Sequence, residues 1–189
     1  MATYEQPGGE APAPERLARV QDFINTWDIE GERETLTSSS ALAAWFRGQG
    51  LLSGRSRIDD GDVERAIAIR EALREACVAN HDRATIDEDV ADLLNQTAEG
   101  ASYRIEFTGD GDHLTPTVGG STGALGQIVA DVFAARTDGT WQRLKACANH
   151  GCRWVFYDHS RSRTKRWCSM AICGNRQKVT DYYHRHNVS

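Results

Sequence analysis

Four cysteines late in the sequence have the spacing of metal ligands. Four residues separate Cys147 from Cys152, four separate Cys168 from Cys173, and 15 residues lie between the two pairs. Zinc in a structural site is enclosed by four protein ligands, and thiolate sulfur suits it. The sequence therefore predicts one structural Zn²⁺ held by all four thiolates, with no coordination position open to water. Because no nucleophile and base pair stands out either, we expect a protein that is not an enzyme.

The cysteines could instead form two disulfides, remain buried as free thiols or bind an iron–sulfur cluster. Residues 1–14 are rich in Gly, Pro, Ala and Glu, and lack the basic start and apolar stretch of a secretory signal. We therefore expect a disordered tail and a cytoplasmic protein, whose thiols stay reduced and favour metal over disulfides. No apolar run approaches the roughly 18 residues of a membrane span, so no membrane partner is expected.

Charge divides the sequence at about the place where the cysteine-rich part begins. Residues 1–142 carry 12 Arg and no Lys against 25 acidic residues, a net charge of −13. Residues 143–189 carry 10 basic and 2 acidic residues, a net charge of +8. This asymmetry is typical of a protein whose basic part binds nucleic acid. The alternative is that the two parts neutralise one another within the fold.

Cations and aromatic residues are interleaved between the two cysteine pairs. The cations that could contact phosphate are Arg161, Arg163, Lys165 and Arg166. Exposed Trp154 or Tyr157 could stack on the bases of single-stranded RNA. Packing around the metal is the competing explanation for Trp154 and Trp167, because a module of about 45 residues has little core of its own.

A helix is predicted to follow, with Ser169 as its N-cap and a first turn that delivers Cys173 to the metal. Helical spacing gives two stripes. The stripe expected to face outward consists of Asn175, Lys178, Tyr182 and Arg185. The stripe expected to pack on the module consists of Ile172, Arg176, Val179 and Tyr183. We expect Lys178 and Arg185 to contact phosphate, and a DNA reader would use Asn175 on a base edge.

This segment resembles a known family. Residues 173–176 read Cys-Gly-Asn-Arg, the signature of the CGNR zinc finger, and residues 154–158 and 167–169 also fit its pattern. In that family the finger follows an ABATE domain, to which residues 23–26 and 69–74 are similar. The resemblance implies a stress-induced transcription regulator that binds nucleic acid. The residues expected to be structural near the zinc are Gly174, Arg176, Trp154 and Trp167.

The residues before the cysteines predict an α+β domain, mostly helical with a small antiparallel sheet. Apolar spacing predicts helices over residues 15–28, 41–48, 63–80, 87–97 and 124–135. We expect a serine of residues 38–40 to cap the second helix and Asp62 to cap the third. Alternation over residues 102–107 predicts a hairpin whose second strand covers residues 114–118. The cysteines then predict a zinc-ribbon or treble-clef-like module that ends in a helix.

Two units follow from these patterns. We call residues 15–140 the N-terminal domain and residues 141–189 the zinc module, and we expect residues 15–136 to fold alone. The favoured function is transcription regulation by DNA binding through the zinc module. RNA binding by the same surface and docking onto an acidic protein partner are the alternatives. Because its acidic surface suits phosphate poorly, the N-terminal domain is expected to sense a small-molecule effector or to form a homodimer.

Overall fold

The structure is a computed structural model that describes residues 6–54, 56–109 and 111–186, except for the side chains of residues 15, 180, 181 and 184–186. The described part of the chain contains six α-helices and three antiparallel pairs of short strands. This combination confirms the predicted α+β class. Every helix within the described ranges is too short or too polar to span a bilayer.

The first helix is shorter than predicted. Helix α1 (Glu15–Ile24) ends where the Thr26 hydroxyl donates to the Phe23 carbonyl at 2.7 Å, a local bond that competes with continued helix. The expected last turn instead becomes strand β1 (Trp27–Asp28), which pairs with β2 (Arg33–Glu34). The chain therefore leaves the helical path about one turn early.

Two capped helices follow. Helix α2 (Ser39–Gly48) begins after Ser38, whose hydroxyl accepts a hydrogen bond from the first turn, as predicted. Helix α3 (Asp60–Asp82) begins earlier than predicted, because Asp59 rather than Asp62 is its N-cap. The Asp62 carboxylate accepts from the Asp59 N–H at 3.0 Å, which completes a capping box. Asp62 therefore takes part in capping, as predicted, but at the third position of the helix rather than as the N-cap.

The next two helices pack closely against each other. Helix α4 (Glu88–Ala101) extends beyond its predicted end, and α5 (Gly120–Thr137) lies against it. The contact requires a glycine at position 126, because a Cβ on Gly126 would lie 2.2 Å from the Cβ of Ala101. A larger residue at either position would push the helices apart.

Strands β3 (Tyr103–Thr108) and β4 (Gly111–Pro116) form the predicted hairpin in a different register. Strand β4 begins and ends earlier than predicted because the turn is shorter and ends at Gly111, whose φ of 127° favours glycine. Ile105 and Phe107 alternate as strand residues do, yet they are 63% and 80% exposed. Alternation therefore located the strand without indicating which face is buried.

The zinc module shares its main core with the N-terminal domain. Strands β5 (Leu144–Ala146) and β6 (Val155–Tyr157) pair antiparallel, and all of their residues are buried. Their apolar side chains join one cluster with residues of α1, α2, α3 and α5. Two three-residue strands cannot form a core alone, so they pack against the helices. The expectation that residues 15–136 fold alone stays a prediction, and such a fragment would lack the part of this core that β5 and β6 supply.

The segment before α1 packs against the zinc module. Gln6 is buried, and its side-chain oxygen accepts from the Trp154 indole N–H at 3.0 Å. The Glu10 carboxylate pairs with the Lys165 ammonium at 2.7 Å. The predicted disordered tail is therefore wrong from Gln6 onward, because these contacts hold it on the module. The first five residues of that tail lie outside the described part of the chain.

Candidate zinc centre and the surface of the finger

The four predicted zinc ligands converge on one point. The sulfur atoms of Cys147, Cys152, Cys168 and Cys173 lie within 4.8 Å of one another, and all four side chains are buried. The sulfur of Cys168 lies 3.8 Å from that of Cys152 and 3.7 Å from that of Cys173. The two pairs, distant in sequence, thus form a single cluster.

These distances fit one tetrahedral zinc ion. With Zn–S bonds of about 2.3 Å, the corners of the tetrahedron are about 3.8 Å apart. A disulfide would bring two sulfur atoms to about 2.05 Å, and all five cysteines of the chain are free thiols. The four sulfur atoms also leave no room between them for a cluster of several irons. The donor set therefore forms a site for one zinc ion, and the disulfide alternative is wrong.

The β5–β6 hairpin positions the first cysteine pair. Cys147 directly follows β5, and its N–H donates to the Trp154 carbonyl at 3.0 Å. Between the two ligands, the Asn149 carbonyl accepts from the Cys152 N–H at 2.9 Å. The Asn149 side-chain amide also lies 3.7 Å from the sulfur of Cys173 and donates to it. Asn149 therefore shapes the first turn and stabilises negative charge on a ligand of the second pair.

A π-helical turn, rather than an α-helix, positions the second pair. The turn spans Met170–Gly174, and helix α6 (Asn175–His186) continues from it. Ser169 occupies the N-cap position of this turn, as predicted, but its side chain makes no capping bond. Its carbonyl instead accepts from the Gly174 N–H at 3.1 Å, five residues on, which widens the turn. This wider turn carries Cys173 to the metal before the regular helix begins.

Three residues predicted to be structural near the zinc do surround the cysteines. Trp154 is buried among them, and Trp167 packs against the same cluster. A Cβ on Gly174 would lie 2.5 Å from the Met170 sulfur and 3.2 Å from the Trp167 ring. The glycine of the signature therefore leaves the space that lets Trp167 lie against the cluster.

Because the four thiols lie close together, their pKa values shift in opposite directions. Hydrogen bonds from Cys152 and Cys168 stabilise a thiolate at Cys147 and lower the pKa of that thiol. The hydrogen bond with Cys147 raises the pKa of the Cys168 thiol, because a second charge would lie beside the first. A divalent cation offsets this repulsion, so its binding releases protons and strengthens as the pH rises.

A buried ion pair organises the loop between the two cysteine pairs. Lys145 and Asp158 are both buried, with Nζ and Oδ2 2.8 Å apart. The carboxylate also accepts from the N–H groups of Ser160 and Lys165, at 3.0 and 2.9 Å. The Lys145 ammonium donates in turn to the Arg163 carbonyl at 2.7 Å. Both ends of the loop are thereby fastened to β5.

We expect Asp158→Asn to destabilise the protein by about 3–5 kcal/mol, because Lys145 would keep a buried charge without its partner. Burial disfavours the Asp158 carboxylate, but hydrogen bonds from Lys145 and Ser160 outweigh it, so the pKa of Asp158 lies below its ordinary value. The stabilisation is thus present above the pKa of an unfolded aspartate, about 3.9, and is lost as the pH falls through the lowered pKa.

Urea unfolding at several pH values measures both effects. Asp92→Asn is the matched control, because Asp92 is exposed on α4, and its change should stay within about 0.5 kcal/mol. The Asp158→Asn variant should also lose the component of acid destabilisation that this carboxylate supplies. Equal stability of Asp158→Asn and wild type at neutral pH would show that the pair carries no net energy.

Helix α1 holds β6 through side chains that imitate a neighbouring strand. Asn25 donates to the Val155 carbonyl at 2.8 Å and accepts from the Val155 N–H at 2.9 Å. Gln21 donates to the same carbonyl at 3.1 Å, and both side chains are buried. The N-terminal domain therefore satisfies the outer edge of the two-stranded sheet and fixes its position.

Arg74 makes a second connection, from α3. Its side chain is fully buried, and Glu71 pairs with it at 2.9 Å. The guanidinium donates to the carbonyls of Ile24 and Trp27 at 2.7 and 3.1 Å. It also donates at 3.1 Å to the carbonyl of Arg153, the residue after the second zinc ligand. One side chain therefore joins α3, the end of α1 and the zinc module.

Sequence reasoning missed these connecting residues, although Asn25 and Arg74 lie in the two segments that are similar to the ABATE domain. The available signal was a charged residue on an apolar helix face. Arg74 directly follows Leu73 and precedes Cys77 by three positions, and both neighbours are fully buried. A cation in such a position must find several acceptors, which identifies Arg74 as a residue with a specific structural partner.

Most of the predicted nucleic-acid contacts lie at the surface. The exposed residues among them are Arg161, Arg163, Arg166, Asn175, Lys178 and Tyr182. Lys165 is different, because it is paired with Glu10 and lies over the Phe156 ring at 5.5 Å. It is thereby engaged within the fold. The side chain of Arg185 lies outside the described residues.

The predicted inward stripe of α6 does not pack on the module. Val179 and Tyr183 are 54% and 58% exposed. Arg176, which was expected to be structural near the zinc, forms an ion pair with Glu30, in the turn between β1 and β2. The small module cannot cover a second face of the helix. Helix α6 therefore extends from the π-helical turn with the described side chains of both stripes exposed.

The aromatic residues of the spacer face inward. Trp154 and Phe156 are buried beside the zinc ligands, and Tyr157 is buried in the main core. Base stacking requires an exposed ring face, which Trp154 and Tyr157 do not offer. Packing is therefore the correct explanation for these aromatic residues.

Comparison with protein families finds two matches, in the predicted order. Residues 17–139 match the ABATE family, described as "Putative stress-induced transcription regulator". Residues 143–186 match the CGNR zinc finger. A comparison with curated proteins found no match. Together the two family matches cover both the helical domain and the four-cysteine site.

Proposed function

Because the chain belongs to the ABATE family and carries a CGNR zinc finger, we propose that it regulates transcription by binding DNA through the zinc module. The observation that carries the proposal is α6, a 12-residue helix that leaves the zinc centre with Asn175, Lys178 and Tyr182 exposed. A helix of this length is about 18 Å long, and the major groove of B-DNA, about 12 Å wide, admits one helix.

Unpaired cations support this surface. Arg161, Arg163 and Lys178 are exposed, and none forms an ion pair or hydrogen bond through its side chain with another described residue. The acidic residue nearest in sequence to Arg161 and Arg163, Asp158, is buried against Lys145. Free surface cations can displace the counterions of phosphate, which is the main source of affinity for nucleic acid.

Buried spacer aromatics favour DNA over RNA. Single-stranded RNA would need stacking surfaces, and duplex RNA has a major groove too narrow for a helix. Tyr182 and Tyr183, on α6 itself, are exposed, whereas Trp167 is half-buried. A helix with exposed Asn175 and Lys178 on one stripe suits base edges and phosphates of a wide groove.

We expect the double change Lys178→Ala and Arg185→Ala to weaken DNA binding across all sequences. Each lost phosphate contact should reduce the slope of log affinity against log salt by about 0.9, so the pair reduces it by about two. Titrations at several salt concentrations measure the slope. Arg47→Ala with Arg65→Ala is the matched control, since it removes the same charge from exposed positions of the N-terminal domain.

The outcome separates the three candidate functions. Zinc content and melting should be unchanged in the double variant, and Asn175→Ala should relax preference at one base position. Selection from random DNA and RNA pools should enrich DNA. Enrichment of RNA would favour the RNA alternative, and an unchanged salt slope would favour docking onto an acidic protein.

We further propose that the protein acts without catalysis, in the cytoplasm. Four sulfur ligands fill the coordination shell of zinc, which leaves no position for a reacting water. Reduced thiols, which the site requires, are maintained in that compartment. Turnover of any substrate at the zinc centre would contradict this part of the proposal.

A further inference from the structure

An apolar cavity of about 390 Å³ lies in the N-terminal domain, lined by residues of α3, α4 and α5, of hairpin β3–β4 and by Trp141. At about 30 Å³ for each water molecule, it has space for on the order of a dozen non-hydrogen atoms. Cavities of this size with mostly apolar walls are typical sites for small organic ligands.

Small side chains create this space. The alanines that line it are Ala76, Ala91, Ala98 and Ala130. Phe133, also in the lining, is 57% exposed, although it lies on a helix that otherwise packs in the core. A ligand with an apolar body would fill the volume that the alanines leave and would remove this ring from water, which favours binding.

Two hydrogen-bond donors on the lining have no partner among the described residues. Trp141 is buried, and its indole N–H meets no acceptor. Arg136 lies about one turn after Phe133 on α5, and its exposed side chain forms no ion pair or hydrogen bond. Because the Trp141 nitrogen is closed to solvent, the Arg136 guanidinium, rather than the indole N–H, is the donor open to a bound molecule. A carboxylate is the acceptor that suits a guanidinium best.

We propose that this cavity binds a small organic acid with an aliphatic or aromatic body. The body lies between the alanines and against the rings of Phe133 and Trp141, and the carboxylate accepts hydrogen bonds from Arg136. A neutral analogue keeps the apolar contacts but loses the charge-assisted bonds. The site is distinct from α6 and its cations, so the proposal does not depend on DNA binding.

Trp141 lies in the segment that joins the two parts of the chain. Asn80 on α3 donates to the carbonyls of both Trp141 and Leu144, at 2.9 Å each. Strand β5 begins at Leu144 and leads directly to Cys147. A ligand against Trp141 therefore contacts the connection to the zinc module. Its binding should change the fluorescence of the Trp141 indole.

The test uses the full zinc-bound chain, with octanoate as the probe and octanamide as its uncharged counterpart. Octanoate is expected to raise the melting temperature and to change tryptophan fluorescence, because it binds the folded state and contacts Trp141. Octanamide should bind roughly tenfold more weakly. Arg136→Gln should remove this preference, whereas Arg47→Gln, in the last turn of α2 as Arg136 is in that of α5, should keep it.

Further variants separate binding from folding. Ala91→Leu and Ala98→Leu each fill part of the cavity from α4, and each should weaken octanoate binding while zinc content is kept. Trp141→Phe retains a ring without the N–H and should abolish the fluorescence change. The proposal is overturned if octanoate does not bind, if octanamide binds equally well, or if folded leucine variants bind octanoate as the wild type does.

Discussion

Replacing Cys168 by serine is expected to abolish zinc binding and to unfold most of the zinc module, whereas wild-type protein holds one zinc per chain. Structural zinc contributes on the order of 10 kcal/mol to folding. The four cysteines, Trp154, Phe156 and Trp167 form a cluster separate from the main core, and it is too small to persist without the metal. Metal analysis and far-UV circular dichroism measure the two effects.

The core that the zinc module shares with the N-terminal domain limits how much of the protein Cys168→Ser unfolds. Strands β5 and β6 pack with the N-terminal helices, so α1 to α5 should stay folded with a lower melting temperature. The matched control is Cys77→Ala, since Cys77 is fully buried in α3 but is not part of the metal cluster. That variant should keep one zinc. One zinc per chain in Cys168→Ser, or zinc-free wild type with oxidised thiols, would refute the four-thiolate site.

The zinc ligands and most helices could be predicted because their signals are local. Each cysteine pair closes within six residues, and a helix cap such as Ser38 acts on the turn that follows it. The connection between the domains has no such local pattern. Asn25 and Val155, for example, bond across 130 positions of sequence, and no periodicity relates them. Their pairing follows from how α1 and β6 pack, which the sequence pattern does not contain.

Helix α6 shows a second limit of prediction from the sequence. Periodicity placed Val179 and Tyr183 on one stripe, and such a stripe usually faces a core. Whether it is covered depends on how much chain remains to cover it. Most buried apolar residues of the described zinc module surround the cysteines or lie in β5 and β6, so little of its core is available to this face. The amount of available core, rather than the spacing, decides the exposure.

Replacing Arg74 by methionine is expected to cost about 3–5 kcal/mol and to loosen the zinc module from the N-terminal domain. Methionine fills much of the volume but leaves the carbonyls of Ile24, Trp27 and Arg153 without their donor. Because Arg153 directly follows a zinc ligand, the variant should also release zinc to a chelator faster than the wild type. Urea unfolding and a chromogenic chelator measure the two changes.

Two further variants distinguish lost hydrogen bonds from lost charge. Arg74→Lys keeps the charge, but a compact ammonium cannot reach carbonyls in three directions, so it should lose most of the same stability. Arg65→Met removes a half-exposed arginine of α3 whose pair with Asp62, at 3.2 Å, contributes at most about 1 kcal/mol. It should leave zinc release unchanged. If Arg74→Met behaves like Arg65→Met in both measurements, the module is held by apolar packing alone, and the bonds from α3 add no net stability.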